Sequence, residues 1–495
     1  MTATYTHTFD TPVYKGTVSV NTGLFINGKF VEPVLKQSIE TVNPVTGEVI
    51  AKVSAGTSED VDIAVAAAKK AFKSSWGLKV PGHQRGRMLG KLADLIEEHK
   101  DELAALESLD TGKLFLHTSK FEVPTAVQVS RYFAGWADKN YGQTIETDES
   151  KFAYTRHEPI GVVAAIAPWN YPLLTSFIKV VTALATGNTV VVKPSEVTPL
   201  SILKVAEYFN AAGFPPGVVN IVNGYGQTVG QALADHRDIG KLTFTGSTLV
   251  GRKIMESAAK TNLKRVTLEL GGKSPTLVFD DADLQRAVTG TVLNIFHNSG
   301  QMCTAGSRIY VQEGIYDRFV EAFAAAARGI KVGNGFDGNC DQGPLVSEIQ
   351  MKRVLGYVES GKAEGAKVLT GGSRQGDKGF FVPPTIFVNT TPDMKIVREE
   401  IFGPVCMIIK FKTEEEAIEH ANDTEYGLSC QVFSQDISRA LRVAHALEAG
   451  QALINGIGGG VGVPFGGIKQ SGFGKELGQH ALEAFTTVKA VHVNL

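Results

Sequence analysis

The sequence predicts an α/β fold built on parallel sheets that carry helices on both faces. Short strand-like runs alternate with helical patterns through most of the chain, which is the rhythm of repeated β-α-β units. The runs are apolar throughout rather than alternating, which indicates strands buried on both faces. The chain has 495 residues, 43% of them hydrophobic and 20% charged, an ordinary globular composition and, at ~150 residues per unit, a length for two to four domains.

A first series of predicted elements lies in the first half of the chain. Its strands are 162–167, 189–192, 218–222, 242–245 and 266–270. Helical patterns separate these strands at 172–186, 199–212, 227–235 and 247–259. Two amphipathic helices, 59–75 and 83–109, precede them. We expect these elements to form one doubly wound parallel sheet.

A second series follows in the other half. Its predicted strands are 276–279, 309–312, 405–411 and 452–455, and its predicted helices are 282–297, 316–330, 349–364, 414–422 and 437–447. The chain therefore divides into two α/β units near Gly271 and Gly272.

Composition excludes several classes of protein. A formal net charge of −2 without a basic stripe argues against a nucleic-acid partner. No apolar run reaches the ~20 residues of a membrane helix, so we expect no membrane partner. The four cysteines are far apart and have no histidine cluster, which predicts reduced thiols and no metal site. The first twenty residues lack the features of a secretory or mitochondrial leader, and we expect a cytoplasmic protein.

Cys303 is the candidate nucleophile. It follows a predicted helix in the segment Asn298-Ser299-Gly300-Gln301-Met302-Cys303-Thr304, where small neighbours would leave its sulfur open to an electrophile. Most free cysteines are instead inert core residues. That interpretation suits the other three, Cys340, Cys406 and Cys430.

Two polar residues at strand ends could support such a nucleophile. Glu269 closes a buried strand before two glycines, as a general base tuned by its surroundings would, although most strand-end glutamates are only solvated or paired. Asn170 lies between Pro168 and Pro172, so a stiff segment could aim its amide N–H groups at a developing oxyanion. The alternative for Asn170 is a turn residue that hydrogen-bonds locally.

Glycine turns and a charged strand end suit a dinucleotide. Gly224-Tyr225-Gly226 follows one strand, and Phe244-Thr245-Gly246-Ser247-Thr248-Leu249-Val250-Gly251 joins a strand to a helix whose N-terminus could bind a pyrophosphate. Neither completes the GxGxxG pattern, and such turns also occur without a ligand. Lys193 and Glu196 end another strand, where they could bind ribose hydroxyls or form an exposed charged turn.

These segments, in this order, resemble the NAD(P)-dependent aldehyde dehydrogenase superfamily, and most closely its broad-specificity tetrameric class. The similarity runs from about Phe25 to Leu495 and rests on six motifs, PWNYP, KPSE, FTGS, LELGG, GQMC and EEIFGPV. It implies oxidation of an aldehyde to a carboxylic acid, through a thiohemiacetal and a thioester on Cys303 and hydrolysis by water that Glu269 activates. NAD is the implied cofactor, favoured by Glu196, with NADP as the alternative.

The resemblance also implies roles for three groups of residues. The catalytic group is Cys303 as nucleophile, Glu269 as base, Asn170 with the backbone N–H of Cys303 as oxyanion hole, and Lys179 with Glu476 as a proton-relay pair. The dinucleotide group is Trp169, Lys193, Glu196, Gly226, Gly246, Ser247, Gly251, Gln350, Glu400 and Phe402. The substrate-pocket group is Tyr171, Thr175, Ile178, His297, Ile457 and Phe465.

The implied domains are a Rossmann-type dinucleotide-binding domain, an α/β catalytic domain and a small β oligomerisation element. Their expected bounds are 1–132 with 159–270, then 271–475, and 133–158 with 476–495. A homotetramer, a dimer of dimers, is the implied assembly. The alternating tail from residue 486 is also typical of an exposed strand that pairs with another subunit.

The pocket departs from the family pattern. Residues 456–463, which we call the rim segment, contain five glycines where close relatives carry bulkier residues. We infer a wider or more mobile entrance that admits bulky aromatic or long aliphatic aldehydes. His297 is a plain wall residue on one interpretation and a modest pH sensor on another.

Three other functions remain open from the sequence. A hydrolase or transferase could use Cys303 and Glu269 without redox chemistry, although it would need no dinucleotide. A CoA-acylating dehydrogenase would replace water by CoA, although Glu269 favours hydrolysis. A non-catalytic relative could keep the dinucleotide site and lose turnover.

Overall fold

The computed structural model describes residues 3–495, and two large sheets organise it. The strands are β1 Thr4–Asp10, β2 Lys15–Asn21, β3 Leu24–Ile26, β4 Lys29–Val31, β5 Gln37–Val42, β6 Val49–Ala55, β7 Thr144–Asp148, β8 Lys151–Pro159, β9 Val162–Ile166, β10 Thr189–Lys193, β11 Val219–Ile221, β12 Lys241–Thr245, β13 Arg265–Glu269, β14 Pro275–Val278, β15 Arg308–Gln312, β16 Lys367–Thr370, β17 Thr385–Val388, β18 Val405–Phe411, β19 Tyr426–Gly427, β20 Ser429–Phe433, β21 Gln451–Ile454, β22 Ile468–Lys469, β23 Gly472–Phe473 and β24 Thr486–Asn494.

Sixteen α-helices, with short 3₁₀ and π turns at Gly77–Lys79, Thr118–Glu122, Gly226–Gly230 and His297–Gly300, connect the described strands. They are α1 Ser58–Ser74, α2 Gly82–Glu98, α3 Lys100–Thr111, α4 Phe115–His117, α5 Val123–Trp136, α6 Pro172–Ala185, α7 Leu200–Ala212, α8 Gln231–Asp235, α9 Thr248–Lys260, α10 Leu284–Phe296, α11 Tyr316–Gly329, α12 Glu348–Ala363, α13 Lys395–Arg398, α14 Glu414–Asn422, α15 Ile437–Ala446 and α16 His480–Ala484. None of the helices in residues 3–495 is both long enough and apolar enough to cross a bilayer.

The first sheet has eight strands in the order β23-β13-β12-β9-β10-β11-β3-β4, and β9 to β13 run parallel. Strand order reverses at β9, with β10 on one side and β12 on the other. Ala165 and Val192 pack into the core on one face, and Ala164 and Val191 into the core on the other. The predicted doubly wound sheet is therefore confirmed, and its ligand crevice should open at the carboxyl ends of β9 and β12.

Two strands of this sheet differ from the expectation of apolar residues on both faces. Paired residues of β12 and β13 lie in register, so Lys241, Thr243 and Thr245 share one face with Arg265, Thr267 and Glu269. The opposite face is apolar and carries Leu242, Phe244 and Leu268. Polar and apolar residues therefore alternate along these strands, as in a strand with one face in solvent. Here, however, the polar face lies mainly inside the molecule, where it packs against α6.

The second sheet has seven strands in the order β16-β17-β18-β15-β14-β20-β21. All neighbours are parallel except the edge strand β16. The four predicted strands correspond to β14, β15, β18 and β21. Strands β16, β17 and β20 were not predicted.

Two helical regions also differ from expectation. The predicted helix 83–109 is two helices, because His99 leaves helical geometry with φ −102° and ψ 22° and stacks on Tyr208 with ring centroids 5.1 Å apart. The sequence predicts no helix or strand for residues 115–136, but this region is helical from α4 through a π turn to α5.

A three-stranded antiparallel sheet joins β24 to β8 and β7. The expected segment 133–158 begins within α5, whose last four residues are 133–136. Near the other end of the chain, β23 returns to the first sheet and pairs with Leu268 and Glu269 at the end of β13. Positions 1 and 2 of the expected segment 1–132 lie outside the described residues.

Candidate active site

The residues singled out from the sequence collect around one crevice at the carboxyl ends of the first sheet. Asn170 follows β9, Ser247 follows β12, and Glu269 is the last residue of β13. Residues 297–304, which we call the nucleophile loop, come from the second unit and bring Cys303 to this crevice. Contact between the two units is direct, since the side-chain amide of Asn170 donates to the carbonyl oxygen of Gln301 at 2.9 Å.

The nucleophile loop has a strained and closely packed backbone. Asn298, Ser299 and Gly300 have φ values of 49°, 57° and 67°, a left-handed region that costs energy for residues other than glycine. A Cβ on Gly300 would lie 2.1 Å from the carbonyl oxygen of Gly403. Surrounding contacts therefore fix the approach of the chain to Cys303.

The two glycines after Glu269 provide space. A Cβ on Gly272 would lie 2.2 Å from the carbonyl oxygen of Cys303, and one on Gly271 would lie 2.4 Å from Oε2 of Glu400. The backbone N–H of Gly272 also donates to Oε1 of Glu400 at 2.9 Å. Neither glycine has a positive φ, so the close approach of the neighbouring chains is what requires glycine here.

Glu269 is buried, and its carboxyl group has no hydrogen-bond partner among the described residues. The residue is 3% exposed, and neither Oε1 nor Oε2 accepts a hydrogen bond from any of residues 3–495. Burial, reinforced by the charge of Glu476, raises the pKa of Glu269 well above its usual range, and Lys179 opposes that rise. A carboxylate whose pKa is raised in this way accepts a proton more readily than an exposed carboxylate does.

The Cys303 thiol is protonated at neutral pH. Burial, followed by the charges of Glu269 and Glu400, raises the pKa of the thiol to about 12. Burial likewise raises the pKa of Glu400 to about 7. Because the thiolate is the attacking form, Cys303 needs a base nearby to become a nucleophile.

Lys179 and Glu476 form a buried ion pair behind Glu269. Nζ of Lys179 also donates to Oγ1 of Thr245 at 2.7 Å. The backbones of Glu476 and Phe465 exchange two hydrogen bonds, with nitrogen-to-oxygen distances of 2.6 and 2.7 Å. The pair lies on the polar face of β12 and β13, so it shares one buried environment with the side chain of Glu269.

The expected adenosine contacts meet at the end of β10. Nζ of Lys193 donates to Oε2 of Glu196 at 2.9 Å, and Oε1 of Glu196 accepts from the backbone N–H of Gly226 at 3.4 Å. A Cβ on Gly226 would have no neighbouring atom within 4 Å, so the space beside it is open. A carboxylate acceptor and an ammonium donor beside such space fit a ribose with two free hydroxyls.

The turn from β12 into α9 fits a pyrophosphate. Ser247 is exposed and caps the helix by accepting from the N–H of Val250 at 3.3 Å. Gly246 leaves no room for a side chain, since a Cβ would lie 2.4 Å from the Phe244 ring. Gly251 packs the helix onto the sheet, because a Cβ there would lie 2.8 Å from Leu270. This packing is a structural reason for Gly251, and its contact with a dinucleotide stays a prediction.

A second set of residues frames the space beside the nucleophile loop. The rings of Trp169 and Phe402 meet edge to face with centroids 5.2 Å apart. Phe402 has a left-handed φ of 58°, and Nε2 of Gln350 holds its carbonyl oxygen at 2.7 Å. Gln350 therefore acts on the site through the Phe402 backbone.

The predicted pocket residues come from three places. Tyr171, Thr175 and Ile178 lie at the start of α6 and are partly buried. His297 begins the nucleophile loop, and Phe465 follows the rim segment. Ile457, within that segment, is 64% exposed.

Three residues that the sequence did not indicate lie against this pocket wall. Nζ of Lys113 is 4.0 Å from the centroid of the Tyr171 ring, and Nε2 of His117 is 3.0 Å from Nε2 of His297. Glu122 is fully buried beside both. All three come from the region 113–122, about 180 residues before His297 in the chain, and no motif marked them. Among residues 3–495, no group of three or more histidine, cysteine or carboxylate side chains is arranged to hold a metal ion.

Comparison with known proteins gives a consistent result. The model of the aldehyde dehydrogenase family matches residues 30–491. An aldehyde dehydrogenase of Agaricus bisporus is 57% identical over 496 residues, covering 100% of this chain and 99% of that protein. The NAD⁺ complex of an aldehyde dehydrogenase from Bacillus cereus has a TM-score of 0.94 and 48% identity, covering 96% of each chain. A solved indole-3-acetaldehyde dehydrogenase with NAD⁺ has a TM-score of 0.95 and 40% identity, covering 97% of each chain.

Proposed function

This chain belongs to the aldehyde dehydrogenase family, oxidoreductases that act on aldehydes, and we propose that it oxidises aldehydes to carboxylic acids with NAD, using Cys303 as nucleophile and Glu269 as base. One observation carries the assignment of these two residues. Glu269 is a buried carboxyl group that has no hydrogen-bond partner among residues 3–495, its charge adds to burial in raising the pKa of the Cys303 thiol, and the chain after it packs directly against the Cys303 carbonyl. An unpaired buried acid beside a thiol is costly for stability and is typical of a catalytic site.

Attack begins when the thiol of Cys303 loses its proton to Glu269, directly or through water. The sulfur then bonds to the aldehyde carbon, and the carbonyl electrons move to the oxygen. Asn170 has two amide hydrogens, of which one is used by Gln301, so the second is free for this oxyanion together with the backbone N–H of Cys303. Loss of one such donor typically lowers the rate by roughly 10²–10³.

NAD, when bound, supplies the acceptor for the hydride that leaves the thiohemiacetal carbon, and a thioester remains on Cys303. Lys193, Glu196 and Gly226 would hold its adenosine ribose, and Gly246, Ser247 and Gly251 belong to the turn beneath its pyrophosphate. Trp169, Gln350, Glu400 and Phe402 would frame its nicotinamide end. Glu196 favours NAD over NADP because its carboxylate would repel a 2′-phosphate.

Hydrolysis completes the cycle. The proton that Glu269 took from the thiol first leaves toward the Lys179–Glu476 pair, which restores the carboxylate. Glu269 then removes a proton from water, the water oxygen bonds to the thioester carbon, and the carbon–sulfur bond breaks to release the acid and the Cys303 thiolate. The proton taken from water can leave by the same route. Because water is sufficient for this step, free acid rather than acyl-CoA is the expected product.

We infer bulky aromatic or long aliphatic aldehydes as substrates. Support comes from the rim segment, where a Cβ on Gly456 would have no neighbouring atom within 4 Å and where the side chain of Ile457 is exposed. Thr175 and Ile178 also leave the wall at the start of α6 less crowded than aromatic residues would. The structural neighbour that acts on an aldehyde with an indole ring supports the same size class.

The assembly and the compartment are further proposals. The long pairing of β24 with β8 leaves β7 as an exposed edge strand, which supports subunit pairing in a homotetramer. Light scattering coupled to size-exclusion chromatography measures that mass directly. All four cysteines are free thiols, which supports a cytoplasmic location, and cell fractionation tests it.

The central test is NADH formation at 340 nm by wild type, Cys303→Ala and Cys340→Ala. The panel contains short, long and aromatic aldehydes, each with NAD⁺ and with NADP⁺. We expect Cys303→Ala to lose activity by about 10⁴-fold or more, while Cys340→Ala, which changes a half-buried cysteine elsewhere, retains it. A Cys303→Ala protein that turns over normally would overturn the nucleophile, a profile confined to acetaldehyde would overturn the substrate class, and acyl-CoA as product would favour the CoA-acylating alternative.

A further inference from the structure

A chain of four polar side chains, which we call the imidazole network, lies behind the proposed pocket wall. Nε2 of His297 is 3.0 Å from Nε2 of His117, with ring centroids 4.1 Å apart in an edge-to-face arrangement. Nε2 of His117 is in turn 3.2 Å from Oε1 of Glu122. Oε2 of Glu122 accepts from Nζ of Lys113 at 2.6 Å.

One end of the network contacts the segment that carries Asn170, and the other end belongs to the nucleophile loop. Lys113 places its ammonium 4.0 Å from the ring centroid of Tyr171, which directly follows Asn170. Burial, followed by the charges of Glu122 and Cys303, raises the pKa of Tyr171 well above its usual range. His297 lies six residues before Cys303 in the chain. The imidazole network therefore flanks the space in which the rest of an aldehyde must lie.

The two charges of the imidazole network, on Lys113 and Glu122, neutralise each other. Lys113 and Glu122 form a buried ion pair, with side-chain exposures of 4% and 0%. Burial lowers the pKa of His117 and of His297 to about 3, with Lys113 contributing in both cases. Both imidazoles are therefore neutral at physiological pH, and each carries one N–H.

The positions of these protons follow from the neighbours. Oε1 of Glu122 lies 3.2 Å from Nε2 of His117 but makes no hydrogen bond within the described residues. A negative oxygen at that distance repels a lone pair on Nε2 and attracts a hydrogen there, so it favours the tautomer of His117 with hydrogen on Nε2. That hydrogen is donated to Nε2 of His297 across the 3.0 Å contact. His297 must then carry its own hydrogen on Nδ1. This Nδ1 makes no hydrogen bond within the described residues, and the side chain is partly exposed.

We propose that the Nδ1–H of His297 is a specificity-determining hydrogen-bond donor, which selects aromatic aldehydes that carry an uncharged oxygen substituent on the ring. The proposal rests on the proposed aldehyde oxidation and names its substrate class more narrowly. A purely apolar ring would cover the Nδ1–H and leave it unpaired, which costs free energy, whereas a methoxy or hydroxyl oxygen would accept from it. Since Lys113 and Glu122 already neutralise each other, no charge in the network remains to bind an ionised substituent.

Two aldehydes of nearly equal shape isolate this hydrogen bond. 4-Methoxybenzaldehyde and 4-ethylbenzaldehyde differ by an oxygen in place of a CH₂ group, and the 3-substituted pair covers the other ring position. The measured quantity is the ratio of kcat/KM for the methoxy compound to that for the ethyl compound, so a general loss of activity cancels. For wild type we expect a ratio of about three to ten in at least one pair.

Variants of the network then assign the effect. His297→Phe should bring the ratio to one or below. His297→Asn, which retains an N–H donor at the place of Nδ1, should keep most of the wild-type preference. His117→Leu, which removes the group that fixes the tautomer, should give an intermediate ratio. His445→Phe, an exposed histidine far along the chain, should leave the ratio unchanged.

Failure of this proposal is distinct from failure of the proposed function. A wild-type ratio of one, or an unchanged ratio in His297→Phe, would overturn the donor role while aldehyde oxidation stands. If no aldehyde is oxidised, equilibrium binding of the same two compounds to the NAD-loaded Cys303→Ala protein supplies the ratio without turnover. Equal binding there would overturn the proposal as well.

Discussion

The nucleophile loop and the rim segment both border the proposed active site and both depend on small residues, but for opposite reasons. A Cβ on Gly300 in the loop would lie 2.1 Å from a backbone oxygen, whereas one on Gly456 in the rim meets nothing within 4 Å and one on Gly460 meets only a side chain at 3.8 Å. In the loop, glycine is required because two chains occupy the surrounding space. At Gly456 and Gly460 in the rim, glycine instead leaves space for a side chain, although Gly458 in the same segment packs against Leu453.

Backbone strain separates the two regions in the same way. Three successive residues of the nucleophile loop are left-handed, and Phe402 beside it is a fourth. Such positions persist only where neighbouring contacts hold them, as the hydrogen bond from Gln350 holds Phe402. Reaction geometry is therefore fixed by the fold, and substrate range is left to a segment that can change without disturbing it.

The largest effect should come from the fixed region, in Glu269→Gln. Loss of the base should lower steady-state kcat by about 10²–10⁴-fold, because the thioester waits for an activated water. Rapid-mixing measurement of NADH should show a burst of about one equivalent per subunit followed by slow turnover. Glu483→Gln, an exposed glutamate on α16, is the matched control. Multiple fast turnovers by Glu269→Gln would remove Glu269 from the role of base.

Next in size is Gly300→Ala. The added Cβ must displace the carbonyl of Gly403 or change the loop backbone, and an error of about 1 Å at a nucleophile can cost about 10² in rate. Assays of kcat/KM, with circular dichroism and NAD binding as controls for folding, should find a folded protein with reduced activity. A fully active variant would mean that the loop relaxes freely and would end the contrast with the rim.

A pH profile tests the electrostatics of the fixed region. Glu476 is the charge that adds most to burial in raising the pKa of Glu269, so Glu476→Gln should lower that pKa. Glu269 then stays in its basic form to lower pH, and the acid limb of the kcat profile should move to lower pH. The rate at the plateau should also fall if Glu476 carries protons away. An acid limb that does not move would place the controlling group elsewhere.

The smallest effect should come from the rim. Gly456→Ala and Gly460→Ala place a methyl group in open space or in ordinary contact, so kcat/KM for a short aldehyde should change by no more than about twofold. Bulky aromatic aldehydes should be affected more, since they pass this segment. Kinetics across the aldehyde panel check the difference, and a large loss for every substrate would show that the rim also positions the reacting groups.

Much of this architecture could be predicted from the sequence, because its signals are local. Strands such as β10, with Val190, Val191 and Val192 in a row, carry apolar residues on both faces, and every residue of this strand is buried. The strand ends that carry Asn170, Glu269 and Lys193 are likewise marked by the turn that follows each strand. The fold class and the family were recovered from such segments, and the nucleophile loop was found because its motif is contiguous.

Features that depend on distant residues could not be predicted. The sequence around His117 has no pattern that links it to His297, and their contact exists only because α4 and the end of α10 meet in the fold. In the sequence, the polar residues of β12 and β13 are part of two short runs that look apolar. Their role becomes visible only in the fold, where Lys179 and Glu476 lie against that face. The close packing at Gly272 has no sequence signal either, because the carbonyl of Cys303 that fills its space is thirty-one residues later in the chain.

Strand β23 has a consequence for the order in which the protein can be built. It closes the edge of β13 beside Glu269. Next to it, the carbonyl oxygen of Ser471 accepts from the N–H of Leu270 at 2.9 Å. The hydroxyl of Ser471 donates at 2.6 Å to the carbonyl oxygen of Gly271, which lies 200 residues earlier in the chain. A ribosome delivers β13 long before this strand. The nascent chain can therefore form most of the first sheet early, but the dry environment of its base is completed only when nearly the whole polypeptide has emerged.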